Sequence, residues 1–187
     1  MIDVVYDACV LYSAALRDFL LDIAAVGLVY PHWSNYIHEE WMRSLLRNRP
    51  DVNRKSLERT RRRMDAKFKN SLTKGYEPLI PTLLLPDSND RHVLAVAIYA
   101  KAQNIVTFNL GDFPKEILQP YGIEAVVPDE FMLRLIQTKP SRVLQAVRNH
   151  RLDLTRPPKT VVEYLATLKK QGLPKTVAFL REHETDI

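Results

Sequence analysis

Carboxylates recur at four stations along this 187-residue chain, each in a setting from which a side chain could reach a ligand. Asp7 follows the β-branched run IDVVY, Glu39 and Glu40 lie in WSNYIHEEWMRSLL, Asp90 in LPDSNDRHVLAVA, and Asp112 in IVTFNLGDFP. Three of the four fall where a strand ends or a helix begins, and in open α/β sheets such ends line the ligand crevice. Carboxylates with no accompanying Cys/His set are donors for a hard divalent cation such as Mg²⁺ or Mn²⁺. Such an ion lowers the pKa of a bound water, which suits hydrolysis of a phosphodiester. Carboxylates crowded together also repel one another, so without an ion at least one of them should hold a proton.

Taken singly, each station has an ordinary structural explanation. Asp7 could satisfy backbone amides in the turn after the first strand. Asp90 could cap a helix, a role in which Asp is common. Asp112 could hold an Asx turn before Phe113-Pro114, and Glu39 and Glu40 could face water. Other chemistries are excluded more firmly. A phosphatase with a nucleophilic Asp after its first strand needs another Asp two residues later, and that position is Cys9. With five glycines, the chain has neither a G-x-x-x-x-G-K-[ST] nor a G-x-G-x-x-G stretch to cradle a nucleotide. The five histidines are scattered, and one cysteine cannot complete a regularly spaced zinc site. His92, two residues after Asp90, reads as a structural residue near a helix start.

Charge points to an anionic partner. The net charge of +5 is unevenly spread: between Arg43 and Lys74 there are twelve Lys/Arg against Asp51, Glu58 and Asp65. Arg54, Lys55 and the run Arg61, Arg62 and Arg63 form its centre. A charge run is often only a solvated helix face, but this one follows an acidic station directly and reads as a phosphate-tracking surface. Cys9 is the only cysteine, which rules out an internal disulfide and points to a reducing cytosol. The start MIDVVYDACVLYSAAL lacks a basic n-region, and no uncharged apolar run approaches the roughly 20 residues of a membrane span. The expectation is a cytoplasmic protein without a membrane segment.

The elements that must position the carboxylates alternate. Strands are expected at 2–6, within LIPTLLLP (79–86), at 104–108 and at 123–127. Helices are expected over 11–27 with Gly27 as the stop, from a Ser34 cap to about Asn48, over about 53–72, after Asp90, and from about Asp129. Pro31 is expected to break the chain. RHVLAVAIYAKA is apolar around nearly its whole circumference, which predicts a buried helix. Strands separated by helices predict a three-layer α/β/α domain on a central parallel sheet. From Pro140 the pattern is helical only, in three short segments with Gly172 and Pro174 as stop and start. The expected division is an α/β domain over 1–138 and a helical C-terminal extension over 139–187.

VVYDACVL, WSNYIHEEWMRSLL and DSNDRHVLAVAIYAKAQNIVTFNLGDFP resemble the motifs of PIN-domain nucleases, and the whole chain is similar to the VapC-type toxins of bacterial toxin–antitoxin pairs. The resemblance covers residues 1 to about 135, and its most specific part is the nineteen-residue span from Asp90 to Asn109. It implies that Asp7, Glu40, Asp90 and Asp112 are the metal-coordinating carboxylates, with Asn109 as the polar residue beside the last of them. Glu40 is preferred over Glu39 on resemblance alone, because helical geometry does not separate the two. Asp87 is an extra candidate, and Thr107 falls where the family places a hydroxyl. The resemblance further implies a metal-dependent endoribonuclease using Mg²⁺ or Mn²⁺ and leaving a 5′-phosphate, with RNA as substrate and a cognate antitoxin as partner. A homodimer is the expected assembly. The competing expectation is a catalytically silent module that binds RNA or protein, which a missing carboxylate would signal.

Overall fold

A computed structural model describes all of residues 1–187. The chain runs through β1 (Ile2–Tyr6), α1 (Ala8–Tyr12), α2 (Ala14–Ala25), β2 (Val29–His32), α3 (Asn35–Asn48) and α4 (Arg54–Lys67). It continues through α5 (Arg91–Tyr99), β3 (Asn104–Val106), α6 (Lys115–Leu118), β4 (Glu124–Val126), α7 (Pro128–Thr138), α8 (Pro140–Asp153), α9 (Val161–Lys170) and α10 (Pro174–Arg181). The fold class is the one expected, an α/β/α domain on a four-stranded central sheet, followed by C-terminal helices. No helix is long and apolar enough to cross a membrane.

The sheet order is β2-β1-β3-β4, with β1–β3 and β3–β4 parallel. Val4, Val5, Tyr6, Ile105 and Val106 are all fully buried, the unbroken apolar reading of parallel strands covered on both faces. Register then does positional work. Tyr6 lies opposite Val106, so the next residues on each strand, Asp7 and Thr107, emerge side by side at the C-terminal end of the sheet.

Three expectations are corrected. Residues 79–86 form no strand: Glu77–Thr82 is a 3-10 helix, because Pro78 and Pro81 lack the amide hydrogens a ladder requires. Pro31 does not break the chain but lies within β2, the outermost strand in the order, and an edge strand tolerates proline. The single helix expected over 11–27 is two, α1 and α2, divided at Ser13, whose backbone is extended (φ −78°, ψ 121°). Gly27 ends the second at φ +74°, a left-handed position that favours glycine.

The residues group into two compact units: Ile2–Tyr12 with Tyr30–Val126, and Met1 with Ser13–Val29 and Val127–Ile187. In the first, α5 packs on β1 and β3, and His92 to Ala97 are buried. Its α3 starts at Ser34, whose hydroxyl accepts from the Ile37 amide. Asp65 of α4 ties that helix to α3: Trp33 Nε1 donates to its Oδ1 at 2.8 Å, and His38 Nε2 lies 3.1 Å away. Trp41 Nε1 donates to His38 Nδ1 at 3.0 Å, so the hydrogen of a neutral His38 sits on Nε2 and points at Asp65. Burial holds the His38 pKa below its ordinary value, which suits that neutral form.

In the second unit α2 packs on α8 and α9, and α10 packs on α7 and α9. Tyr164, Leu165 and Leu168 supply the buried stripe of α9, whereas Val162, in its first turn, is 71% exposed. Thr160 and Glu163 form a reciprocal capping box at its start. The buried Asp129 carboxylate accepts from the Lys175 and Thr176 amides and from the Thr176 hydroxyl, fixing the start of α10.

Candidate metal-binding active site

Asp7 leaves β1 almost fully buried, at 3% exposure, held by one neighbour that the strand register supplies and two that follow it in the chain. Thr107 Oγ1 donates to its Oδ2 at 2.7 Å, Cys9 Sγ donates to the same oxygen at 3.2 Å, and the Ala8 amide donates to Oδ1 at 2.6 Å. Burial raises the Asp7 pKa, those three bonds lower it, and the Glu40 charge raises it further, leaving it above the ordinary value. Asp7 does hold a backbone amide, but it also lines a cleft of about 390 Å³ together with Glu40, Asp90 and Asn109.

Asp90 stands at the start of α5 without a side-chain capping bond; the cap of that turn is Asp87, which accepts from the Asn89 amide at 2.8 Å. The helix-cap explanation therefore applies to Asp87 and not to Asp90. The Asp90 carboxyl is pushed up to about 7, first by burial and then by the charges of Asp7, Asp112, Asp87 and Glu40. Four other carboxylates thus act on one, a concentration of negative charge that a bound cation would relieve.

Asp112 ends the 3-10 turn Leu110–Asp112 and forms no side-chain bond that would mark an Asx turn. It lines a second cleft of about 680 Å³ with Asp87, and this cleft shares Glu40, Asp90 and Asn109 with the first. The Asn109 amide donates to Thr107 Oγ1 at 3.0 Å, tying its loop to the hydroxyl that holds Asp7. Asp7, Glu40, Asp90, Asn109 and Asp112 are thereby gathered around connected space, with Asp87 at its rim and Thr107 behind Asp7.

The two glutamates differ. Glu39 is held at two points by Arg54, at 3.0 and 2.7 Å, a bond that keeps its pKa below the ordinary value. Glu40 faces both clefts, and its Oε2 lies 3.1 Å from His92 Nε2. The sequence contained the offset that brings them together, His92 two residues past Asp90, but nothing in it linked His92 to α3. The Cys9 bond to Asp7 went unread for a similar reason: a lone cysteine carries no pattern.

No three carboxylate, imidazole or thiol groups converge into a ready-made cage. The donors around the clefts are hard oxygens, and the raised Asp90 carboxyl shows uncompensated negative charge at that point. The residues present fit a hard divalent cation.

The basic candidates separate on α4. Leu57 and Met64 form its buried stripe. Arg54 is engaged with Glu39 and, at 3.5 Å, with Glu58; Arg61 donates to Asn35 Oδ1 at 2.7 Å and stands 3.8 Å from both Glu58 and Asp65. Lys55, Arg62 and Arg63 are exposed and take part in no ion pair.

A parallel sheet whose strand ends carry a carboxylate-lined cleft defines the class. Residues 3–111 match the PIN domain family, and the chain belongs to it. Residues 128–182 match the VapC50 C-terminal domain, so the helices after β4 also have a counterpart among VapC proteins. A relative from Mycobacterium tuberculosis (strain ATCC 25618 / H37Rv), named "Putative ribonuclease VapC50", is 48% identical over 59 residues. That alignment spans 32% of this chain and 34% of the relative, about a third of each. No solved structure matches the chain.

Proposed function

We propose that this protein is a metal-dependent endoribonuclease that hydrolyses RNA phosphodiesters and acts as the toxin of a toxin–antitoxin pair. The observation that carries the nuclease reading is the placing of Asp7, Glu40, Asp90 and Asp112 along two clefts that share Glu40, Asp90 and Asn109. A Mg²⁺ or Mn²⁺ ion held by Asp7, Glu40, Asp90 and Asp112 would supply an activated water and neutralise charge on the phosphoryl oxygens.

The chain's own residues prepare that site. Thr107 fixes one oxygen of Asp7 by donating to it, and the Ala8 amide fixes the other. Their bonds favour the ionised Asp7 against the burial that disfavours it. His92 orients Glu40 from the start of α5. Asn109 brings a neutral amide to both clefts, able to donate to a phosphoryl oxygen without adding negative charge. Lys55, Arg62 and Arg63 offer unpaired positive charge along α4 for the RNA backbone.

All four acidic positions are filled, which favours an enzyme over a silent binding module. The toxin role, a cognate antitoxin as inhibitor, a homodimeric assembly and cytoplasmic action rest on the relationship to VapC proteins. The test is incubation of the purified protein with RNA in Mg²⁺ or Mn²⁺ and in EDTA. Cleavage in metal alone, with 5′-phosphate ends, is the expected result; RNA left intact in every buffer by folded, metal-supplied protein overturns the nuclease reading.

A further inference from the structure

Tyr36, Glu40 and Arg43 are spaced four and three residues apart on α3, so they rise along one face of the helix. All three line the larger cleft together with Asp90 and Asp112. Each has a different chemistry: an aromatic face, a carboxylate and a guanidinium.

Tyr36 is the least expected of the three. It is 56% exposed on the first turn of α3, although the neighbouring Ile37 and the later Trp41 on the core face are fully buried. Its ring lies against the imidazole of His92, with centroids 5.6 Å apart and planes inclined by 34°. His92 is itself only 8% exposed and contacts Glu40 through Nε2. One side of the tyrosine ring is therefore backed by a buried residue, and the ring stands in the cleft next to a carboxylate of the site. Arg43, one turn beyond Glu40, is exposed and in no ion pair, unlike Arg54 and Arg61.

We infer that Tyr36 is the stacking platform for an unpaired base of the substrate and Arg43 the grip on a phosphate beside it, so that a single strand lies along α3 across Glu40. The inference rests on the nuclease reading above and deepens it by naming the residues that would hold the strand. A base held between paired neighbours in a helix keeps its faces covered, whereas an unpaired base can place one on an aromatic ring. Aromatic stacking tolerates any base, and a lone guanidinium reads no sequence. The pair therefore selects strandedness and position while leaving sequence to other contacts. A protein partner docking on the same tyrosine is the competing occupant.

The experiment uses the full chain with Tyr36→Ala, Tyr36→Phe and Arg43→Gln, and a short single-stranded RNA carrying one 2-aminopurine. Binding is followed in EDTA by 2-aminopurine quenching and by polarisation of an end label, so it is measured whether or not the protein cuts RNA. Tyr36→Ala is expected to weaken binding about 5- to 100-fold and to abolish quenching, with Tyr36→Phe restoring both. Arg43→Gln is expected to reduce the salt dependence of binding by about 0.7 in slope while leaving the quenching intact. In cleavage assays Tyr36→Ala should raise KM with a smaller effect on kcat. The same RNA annealed to its complement should bind the wild type no more tightly than the single strand binds Tyr36→Ala. Unchanged single-strand binding by Tyr36→Ala overturns the inference and leaves the tyrosine to a protein partner. Equal binding of duplex and single strand by the wild type also overturns it. Normal stacking without cleavage in metal would instead overturn the nuclease reading alone.

Discussion

Replacing Asp90 with Asn should make the metal-free protein more stable, by an amount that depends on pH. The wild-type carboxyl is pushed up from 3.8 to about 7, first by burial and then by Asp7, Asp112, Asp87 and Glu40. As pH rises, the unfolded chain releases this proton first. Between about pH 4 and 7 the native state therefore binds more protons than the unfolded one, and stability falls with rising pH. Below that window Asp90 is neutral in both states; above it the penalty is fully present. At about 1.4 kcal/mol per pH unit, the shift has a ceiling of about 4 kcal/mol. The group is only half-buried, and solvent screening reduces this to about 1–2 kcal/mol. Asn has no cap bond to lose, since the Asp90 side chain makes none. For a chain of this size the gain corresponds to a rise in Tm of about 2–8 °C. Thermal and urea unfolding of both proteins in EDTA, at about pH 8 and about pH 4, measure it. The gain should be present at the higher pH and nearly absent at the lower. Saturating Mg²⁺ should then narrow the gap by stabilising the wild type. A variant no more stable than wild type at the higher pH, or a gain equal at both, refutes the reasoning.

Thr107→Val removes the donor to Asp7 Oδ2 while preserving shape; it should destabilise the protein by about 1.5–3 kcal/mol at neutral pH, read by urea unfolding. Replacing Lys55, Arg62 and Arg63 with Gln should lower the salt slope of RNA binding by up to about 2, whereas Arg54→Gln mainly frees Glu39. An unchanged slope would mark α4 as only a solvated face. Leu168→Ala, at a site 1% exposed among the C-terminal helices, should cost about 2–5 kcal/mol. Truncation after Lys139 removes α8 to α10 and uncovers the face of α2 that α8 covers, so the product should be insoluble or molten. A stable, active truncated protein would make those helices a regulatory module instead.

Periodicity made most of the elements legible, because their burial follows it. The all-round apolar α5 and the Ser34 cap are where the sequence put them. Residues 79–86 and Pro31 misled for one shared reason: proline's effect depends on whether its position must donate to a ladder, and edge placement is a tertiary fact. At the site, residue type announced the carboxylates, and register and helix phase decided their use. Glu39 and Glu40 are adjacent in sequence, yet only the position of α4 gives one to Arg54 and leaves the other at the cleft. Capping moved from Asp90 to Asp87 because the turn before α5 is a 3-10 turn of three residues. The approach of His92 to Glu40 and the contacts of Cys9 with Thr107 and Phe108 join residues far apart in the chain, which local pattern does not encode. The i, i+4, i+7 spacing of Tyr36, Glu40 and Arg43 was visible throughout, but only the cleft gives it meaning.

The central claim is that Asp7, Glu40, Asp90 and Asp112 act together as the metal-dependent centre of a ribonuclease, with the first three the positions to probe. Its most direct test is cleavage of one RNA in Mn²⁺ by wild type, Asp7→Asn, Glu40→Gln, Asp90→Asn and Glu39→Gln, each verified as folded by its unfolding transition. The account predicts cleavage by wild type and Glu39→Gln, and loss of it in the other three although Asp90→Asn is the more stable fold in EDTA. Undiminished cleavage by Asp90→Asn, or loss in Glu39→Gln with retention in Glu40→Gln, would contradict it.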